Sequence, residues 1–516
     1  MFLFFRNSGL TRAVSLLKPP ILATICPYRE KNDLMKPISN DIIAKLWTLC
    51  NVLKDDGVTY HQYVTELTYL LFFKMAKETG TEHQIPKGHR WDNLIANPKL
   101  GRLEAYKITL IHLGTHGDQI VREIFSNASS FIRKPATLST LVEGIDKLAW
   151  YNAGREDLGD IYEGLLEKNA NEKKSGAGQY FTARSLIDSL VRVMKPSLDD
   201  TIQDPAAGTG GFLIAANHYI REHYPPENWT KNQLEKYRNS TFFGMEHVHD
   251  THRLALMNLF LHGIDFNPGA GGVHYGDTLS ADGQKLPGAT LILSNPPFGS
   301  KKGGGLPERT DLPYPTSNKQ FCFLQHSYLG LKPGGRAAVV LPDNALFEGN
   351  IGKQIRADLM NKCNLHTILR LPTGIFYAQD VKTCVIFFTR GQTDHGNTKE
   401  VWVYDLRANM PQYGKRTLLT RDHFSGFETA FGTDPLGQAE ALLLRRKDSD
   451  GSNRFRCFTR EWIAQHNDNL DISWLKDESE ELPEPGVLAR EVLEELEGAL
   501  EELREIMEEL GEEVDV

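Results

Sequence analysis

The segment Asp204-Pro-Ala-Ala-Gly-Thr-Gly-Gly-Phe212 decides the fold of this chain. A short apolar run, Thr201-Ile-Gln, precedes it, and an apolar helical pattern follows it over Phe212–His223. Its glycines permit a tight turn with close backbone approach to a ligand, as in the first strand–helix turn of a doubly wound sheet. No Lys-Ser/Thr pair follows the glycines, so the segment is not a P-loop. Taken alone, it also fits a plain strand–helix connection.

Further apolar runs continue this alternation of strands and helices from about Gly176 to Arg390, where the sheet pattern ends. Helical patterns such as His252–His262 lie between most of them. The alternation predicts an α/β fold with a doubly wound, mostly parallel sheet. Ligands bind outside the carboxyl ends of such strands, so functional residues are expected directly after each run. The runs are Thr241-Phe-Phe-Gly-Met, Gly272-Val-His-Tyr, Thr290-Leu-Ile-Leu, Arg336-Ala-Ala-Val-Val-Leu and Val385-Ile-Phe-Phe.

Carboxylates stand at the predicted tips of the second and third strands. Glu246 ends the second run and can accept hydrogen bonds from both hydroxyls of a ribose. Asp277 follows the third run and can accept one from an adenine amino group. The plainer alternatives are an acidic residue near a helix N-terminus for Glu246 and a turn residue for Asp277.

The fourth predicted strand ends in Ser294-Asn295-Pro296-Pro297-Phe298, which is the most specific signal in the chain. The two prolines fix the backbone and remove two N–H donors. The Asn295 side-chain oxygen, the Pro296 carbonyl and the flat face of Phe298 remain, and they suit a planar group that bears an NH2. Two acceptors would localise the lone pair of such an amine for nucleophilic attack. The alternative is a loop that the prolines merely stiffen.

Composition excludes several classes of protein. The chain has 516 residues, of which 40% are hydrophobic and 24% charged, so it is neither disordered nor membranous and has room for about two to four domains. No apolar run reaches the ~18–20 residues of a membrane-spanning helix. Six scattered cysteines without a C-x-x-C pair favour a reducing, cytoplasmic protein. The histidines of His247-Val-His-Asp-Thr-His252 lack i,i+4 spacing, and we expect no metal site.

Both ends of the chain differ from its body. Residues 477–516 hold 17 acidic residues against two arginines, a net charge of −15, so residues 1–476 carry +6 of the total of −9. Such a body permits a polyanionic partner. Residues 1–34 are acid-free before Glu30, which fits a transit peptide or, as we favour, a start upstream of the true one at Met35. The acidic tail has a coiled-coil seam made of Leu493, Leu496, Leu500, Leu503, Met507 and Leu510.

The predicted organisation follows from these patterns. An atypical extension (1–34) precedes a helical N-terminal domain (35–165), in which Ile42, Leu46, Leu49 and Leu53 share one helix face. A catalytic domain (166–420), a connecting region (421–476) and an acidic helical tail for subunit assembly (477–516) follow.

These motifs resemble the gamma-type amino-methyltransferases, which methylate adenine N6 in DNA with S-adenosylmethionine. Gly178-Gln-Tyr-Phe-Thr182 precedes the glycine turn as in that family, although Ala183 stands where the family often has Pro. Asp56–Leu67 and Arg370–Gln379 are further similar to the modification subunit of type I restriction-modification systems. The resemblance covers the chain from about Ser39 to its C-terminus.

The resemblance implies an adenine-specific DNA methyltransferase of the S-adenosylmethionine-dependent fold. It implies that sequence choice comes from a separate specificity subunit, through which a second copy of the chain is joined, and that a restriction subunit and double-stranded DNA are the other partners. The implied target-holding residues are Asn295, Pro296, Pro297 and Phe298. The implied cofactor-binding residues are Gln179, Tyr180, Phe181, Thr182, Asp204, Ala206, Gly208, Thr209, Gly210, Glu246 and Asp277.

Two other functions stay open at this point. A methyltransferase acting on RNA or on a protein glutamine also uses an Asn-Pro-Pro-aromatic motif, although the segment ending at Thr182 and the large helical domain argue against it. A non-enzymatic scaffold subunit would need a dead site, yet all the expected acceptors and carboxylates are present.

Overall fold

The computed structural model describes most of the chain between residues 42 and 475. The described residues are 42–46, 48–49, 52, 60–148, 150, 182–264, 271–300, 306–376, 381–411, 413, 417, 419–438 and 454–475. The N-terminal extension, Gln179–Phe181 and the acidic tail therefore lie outside them. In the part of the chain that is described, no helix has the length and apolar character needed to cross a membrane.

Helices build the N-terminal region, as predicted. Ile42 and Leu46 are buried and Leu49 packs against the same core, whereas Leu53 lies outside the described residues. Trp91, Phe72 and other fully buried side chains form the centre of this core. The helices are α1 (Tyr60–Glu78), α2 (Trp91–Ala96), α3 (Lys99–Leu113), α4 (Gln119–Ile124) and α5 (Pro135–Asp146).

The described residues after the N-terminal helices include a mixed sheet of nine strands, which lie in the order β3-β2-β1-β4-β5-β7-β6-β8-β9. Strands β1 to β5 are mutually parallel, and β7 is antiparallel to both β5 and β6. The doubly wound, mostly parallel sheet is thus confirmed. The strands are β1 (Ile202–Asp204), β2 (Phe242–Glu246), β3 (Gly272–Tyr275), β4 (Ala289–Ser294), β5 (Leu331–Pro342), β6 (Cys363–Arg370), β7 (Thr383–Arg390), β8 (Glu400–Asp405) and β9 (Phe455–Thr459).

Helices cover the two faces of this sheet. The glycine turn opens directly into α7, and α10 follows the loop after β4. The order of the strands reverses between β1 and β4, so their carboxyl ends form the crevice where doubly wound sheets bind ligands. The helices are α6 (Arg184–Met194), α7 (Gly211–His223), α8 (Lys231–Ser240), α9 (His249–Leu261), α10 (Lys319–Gly330), α11 (Asn344–Phe347), α12 (Ile351–Lys362), α13 (Ser425–Phe431) and α14 (Arg460–Gln465).

The sheet does not end near Arg390, so that prediction is wrong. β8 pairs in parallel with β6, and β9 pairs antiparallel with β8. The pattern failed because β6 has no continuous apolar run: its buried His366 and Thr367 interrupt it. Because the predicted sheet lacked β6, it contained no strand with which β8 could pair. The proposed boundary at residue 420 stays a prediction, although β9 comes from the region beyond it.

Helix α9 belongs to two cores. Met257 and Phe260 pack into the core of the N-terminal helices, whereas Leu259 packs into that of the sheet. Arg253 of the same helix donates to the Ser126 carbonyl oxygen at 3.3 Å. The N-terminal region is therefore held beside the carboxyl end of β2, where α9 begins.

Candidate active site

The glycine turn lies at the carboxyl end of β1 and is bonded to β2. The Ala207 N–H donates to the Met245 carbonyl oxygen at 2.9 Å. Gly208 and Gly210 have φ of 55° and 84°, a left-handed conformation that favours glycine. Gly210 then caps α7. The turn therefore brings bare backbone to the crevice between β1 and β4.

Glu246, at the tip of β2, accepts a hydrogen bond from this turn with one carboxylate oxygen and from the backbone after β2 with the other. Oε2 accepts from the Gly208 N–H at 3.0 Å, and Oε1 accepts from the Val248 N–H at 2.8 Å. Burial raises the pKa of Glu246 above its usual value, although these hydrogen bonds oppose that shift. Each oxygen keeps a second lone pair for a ligand hydroxyl. Val248 was not predicted as a site residue, and its apolar side chain is partly exposed beside Glu246.

Asp204, the last residue of β1, joins the two strands of the crevice. Its Oδ1 atom accepts from the Ser294 hydroxyl at 2.7 Å and from the Ala206 N–H at 3.1 Å. Ser294 ends β4, so this bond ties the glycine turn to the target motif. Burial raises the pKa of Asp204 to about 7, against the pull of these hydrogen bonds. A positive ligand group would favour the ionised carboxylate.

Asp277 follows β3 on the outer side of Glu246. Its Oδ1 atom accepts from the Leu279 N–H at 2.8 Å, and the side chain is half-buried. The preceding Gly276 N–H donates to the Glu246 carbonyl oxygen at 3.1 Å, and so the tips of β2 and β3 are fixed to each other.

Asn295 carries an unused acceptor. Its Nδ2 atom donates to the Thr182 hydroxyl oxygen at 2.9 Å, whereas its buried Oδ1 atom has no hydrogen-bond partner among the described residues. Buried acceptors are normally paired, and one without a partner calls for an explanation. Pro296 is buried as well, and Pro297 is half-buried. The motif thus contains one buried acceptor without a partner among the described residues.

Two aromatic rings lie beyond the prolines. The ring of Phe298 is half-buried and meets that of Phe376 edge to face, with centroids 6.4 Å apart and planes at 78°. Phe376 was not predicted as a site residue, since Arg370–Gln379 was noted only as a family likeness. The fold brings the two rings together because β5, β7 and β6 place the loop after β6 near the tip of β4.

The described site residues gather at the carboxyl ends of β1 to β4, as the crevice rule predicts. Those brought together are Thr182, Asp204, Ala206, Gly208, Thr209, Gly210, Glu246, Asp277, Asn295, Pro296, Pro297 and Phe298. Their individual roles stay predictions. No cluster of histidine, cysteine or acidic side chains suited to a metal ion occurs in the described ranges.

Comparison with known proteins agrees with this arrangement. Residues 153–482 match the family described as N-6 DNA Methylase. The methylase subunit of the type I restriction enzyme EcoKI of Escherichia coli K12 is 48% identical over 508 residues, which cover 92% of this chain and 96% of that protein. The StySPI methylase subunit of Salmonella potsdam has the same identity and the same coverage.

Solved structures are similar too. The crystal structure of the EcoKI M protein is 44% identical, with a TM-score of 0.54 over 92% of this chain and 97% of that one. A type I restriction-modification structure that addresses complex assembly is 25% identical, with a TM-score of 0.66 over 93% of this chain and 99% of its own. The chain belongs to the N-6 DNA methylase family and, within it, to the methylase subunits of type I restriction enzymes, which are adenine-specific DNA methyltransferases.

Proposed function

We propose that this chain binds S-adenosylmethionine at the tips of β1, β2 and β3 and methylates the N6 amine of an adenine held at the tip of β4. The observation that carries the proposal is the buried, unpartnered Oδ1 atom of Asn295 beside the buried Pro296. An exocyclic amine supplies the donor that this acceptor lacks.

The residues at the first three strand tips fit the cofactor. Glu246 presents two carboxylate oxygens to the ribose hydroxyls, and Asp277 presents one to the adenine amine. Asp204 and the backbone of Gly208–Gly210 suit the amino-acid portion, whose ammonium group would hold the Asp204 carboxylate in its ionised form. When bound, the cofactor supplies a methyl group already activated by the positive sulfur, so the protein's part is positioning.

The target amine is held by oriented acceptors. The hydrogen bond from Asn295 Nδ2 to the Thr182 hydroxyl engages the donor end of the amide, so the proposal assigns Oδ1 to the target amine. Oδ1 and the Pro296 carbonyl would together draw the two N–H bonds out of the ring plane, so the nitrogen lone pair loses its conjugation with the ring and becomes localised. The same dipoles stabilise the positive charge that develops on the nitrogen during attack. The methylated nitrogen, positively charged after transfer, would then release one proton to water, and no base is required beforehand.

The adenine reaches this site only outside the DNA helix. Enzymes that act on a base in duplex DNA extrude it, at a cost of a few kcal/mol. The face of Phe298 offers stacking, which is worth about 1–3 kcal/mol per base. Phe376 stands perpendicular to Phe298 and limits the position of a stacked base.

The proposed assembly contains one specificity subunit, two copies of this chain, a restriction subunit and double-stranded DNA. The +6 charge of residues 1–476 favours DNA, whereas the acidic tail would be repelled by it. The predicted apolar seam of that tail suits partner helices. The similar structure that addresses assembly of a type I system supports this proposal.

Methylome sequencing tests the function directly. A host carrying this chain with its neighbouring gene products should gain N6-methyladenine at one DNA sequence, and a host carrying Asn295→Ala should not. Methyl transfer to purified RNA or protein, with none to DNA, would overturn the proposal.

A further inference from the structure

A buried arginine on the target side of the site holds the backbone beside Asp277. Arg309 lies in the segment between Phe298 and α10 and is buried. Its Nε and Nη2 atoms donate to the two carboxylate oxygens of Asp311, at 2.5 and 2.6 Å. Its Nη1 atom donates to the Thr278 carbonyl oxygen at 3.0 Å. The guanidinium thus reaches from the loop after the target motif to the residue next to Asp277.

The same guanidinium is linked to β1. Nη1 lies 3.1 Å from Nδ1 of His326, and Nε2 of that ring lies 2.9 Å from the Gln203 side-chain oxygen. Because that oxygen only accepts, Nε2 carries the proton and Nδ1 accepts from Arg309. Burial, reinforced by the charge of Arg309, lowers the pKa of His326 to about 3, so the ring stays neutral. Gln203 directly precedes Asp204.

Thr278 is held on its other side as well. Its hydroxyl donates to the Pro205 carbonyl oxygen at 2.5 Å. Gly283 closes the packing, since a Cβ atom there would lie 2.0 Å from the Thr278 oxygen and 2.6 Å from Arg309 Nη1. The backbone after Asp277 is therefore clamped between Arg309 and the glycine turn.

We propose that Arg309 is a positioning residue that fixes Asp277 for the adenine of the cofactor. This inference rests on the proposed cofactor site. Arginine is required because one ammonium group cannot bind both oxygens of Asp311 and also reach Thr278 and His326. Without the clamp, Asp277 loses its fixed position and the cofactor binds more weakly. Among the described residues no hydrogen bond joins Arg309 to Asn295 or Pro296, so transfer at saturating cofactor should continue.

Calorimetry of the full chain with S-adenosylmethionine tests the proposal. Arg309→Lys should raise the dissociation constant about tenfold, since a charge-assisted hydrogen bond to a fixed carbonyl is lost. Asp311→Asn should raise it by a smaller factor. In the complex assembled with the specificity subunit, KM for the cofactor should rise by the same factor, with kcat within about twofold of the unchanged protein.

The chain contains a matched control near the amino ends of the central strands, on the edge of the sheet opposite to the site. Arg336 donates to both oxygens of Asp200 at 3.0 Å and to the carbonyls of Met194 and Lys195 at 2.8 and 2.9 Å. Arg336→Lys disrupts the same kind of buried, bidentate pair away from the carboxyl ends of the strands. It should lower Tm comparably and leave the cofactor affinity unchanged.

The outcomes separate the two proposals. Equal cofactor affinity in Arg309→Lys and Arg336→Lys, or a fall in kcat without a rise in KM, overturns the positioning role. If Arg309→Lys does not fold, Asp311→Asn decides, because its side chain is 42% exposed and the change preserves its size. If Glu246→Ala weakens binding and the Arg309 and Asp311 variants do not, only this inference fails. If Glu246→Ala binds normally, the cofactor site itself is wrong.

Discussion

The Asn295 amide donates through Nδ2 to the Thr182 hydroxyl oxygen, 2.9 Å away, whereas its buried Oδ1 atom has no hydrogen-bond partner among the described residues. The bond joins two residues that are 113 positions apart in the chain and engages the donor end of the amide. Under the proposed function, the acceptor end is then left for the target amine. An amide NH2 group in its place could not serve that amine as an acceptor.

Asn295→Ala should reduce methylation by the assembled complex about 10²–10³-fold, because one preorganised polar contact at the reacting centre is lost. Cofactor affinity should survive, since the proposal places Asn295 against the target amine and not against the cofactor. Single-turnover methylation together with calorimetry measures both quantities. Thr182→Val, which frees the amide to rotate, should lower the rate by a smaller factor. Near-normal turnover of Asn295→Ala would remove this residue from the centre.

Phe298→Ala should weaken capture of the extruded base, because the stacking energy of about 1–3 kcal/mol no longer offsets the cost of flipping. A fluorescent base analogue at the target position reports extrusion, and its signal should fall. Tyr224 offers an aromatic control, because it directly follows α7 and its side chain is 41% exposed. Tyr224→Ala should leave the signal unaltered. An unchanged signal in Phe298→Ala would count against stacking.

Glu246→Ala should raise the dissociation constant for S-adenosylmethionine and leave DNA binding by the assembled complex intact. The carboxylate contacts the glycine turn through Gly208, so its loss removes both a ribose acceptor and a support of the turn. Glu246→Gln keeps the size and should bind with intermediate affinity. Calorimetry measures the constants, and wild-type affinity in the alanine variant would exclude Glu246 from the site.

Cofactor binding should depend on pH through Asp204, whose pKa burial raises to about 7. An ammonium group requires the ionised carboxylate, so affinity should fall by up to about tenfold for each pH unit below 7. Calorimetry in buffers of different ionisation enthalpy should detect a proton released near pH 6. Asp204→Asn should bind weakly at every pH, whereas a flat profile in the unchanged protein would contradict the assignment.

Asp204 should also make the stability of the fold depend on pH. Stability should fall as pH rises, whereas cofactor affinity should rise. The folded chain holds the Asp204 proton more tightly than the unfolded chain does, so this carboxyl opposes folding increasingly as pH rises from about 4 to 7. Asp204→Asn should therefore raise Tm at pH 8 while it weakens the cofactor. Thermal unfolding at pH 5 and pH 8 measures the difference, which should shrink at the lower pH.

Truncation at Glu484 should leave a folded chain that still binds the cofactor but assembles poorly and methylates weakly. The deletion removes the predicted apolar seam, which we expect to dock on helices of the specificity subunit. Size-exclusion chromatography of the mixed subunits measures assembly. Sequence-specific methylation by the purified chain alone would contradict the need for a separate specificity subunit.

The predicted site residues could be named from the sequence because they stand at the ends of predicted strands. Asp204, Glu246, Asp277 and Asn295 each end or follow an apolar run, and the topology of a parallel sheet brings such positions to one edge. The Thr182–Asn295 bond, the Phe298–Phe376 contact and the Arg309 clamp depend on residues distant in sequence, and no local pattern encodes them. β6 could not be predicted from an apolar run, because it contains the polar residues His366 and Thr367, which only tertiary packing buries.

Because side chains of α9 pack into two cores, the predicted boundary at residue 165 would separate side chains that pack together. A fragment that began after residue 165 would contain α9 without the N-terminal helices against which Met257 and Phe260 pack. Such a surface invites association with other exposed apolar surfaces, so the isolated catalytic region should aggregate. To obtain a stable, smaller methyltransferase from this chain, the residues of α9 that pack on the N-terminal helices, such as Met257 and Phe260, would have to be replaced by polar residues.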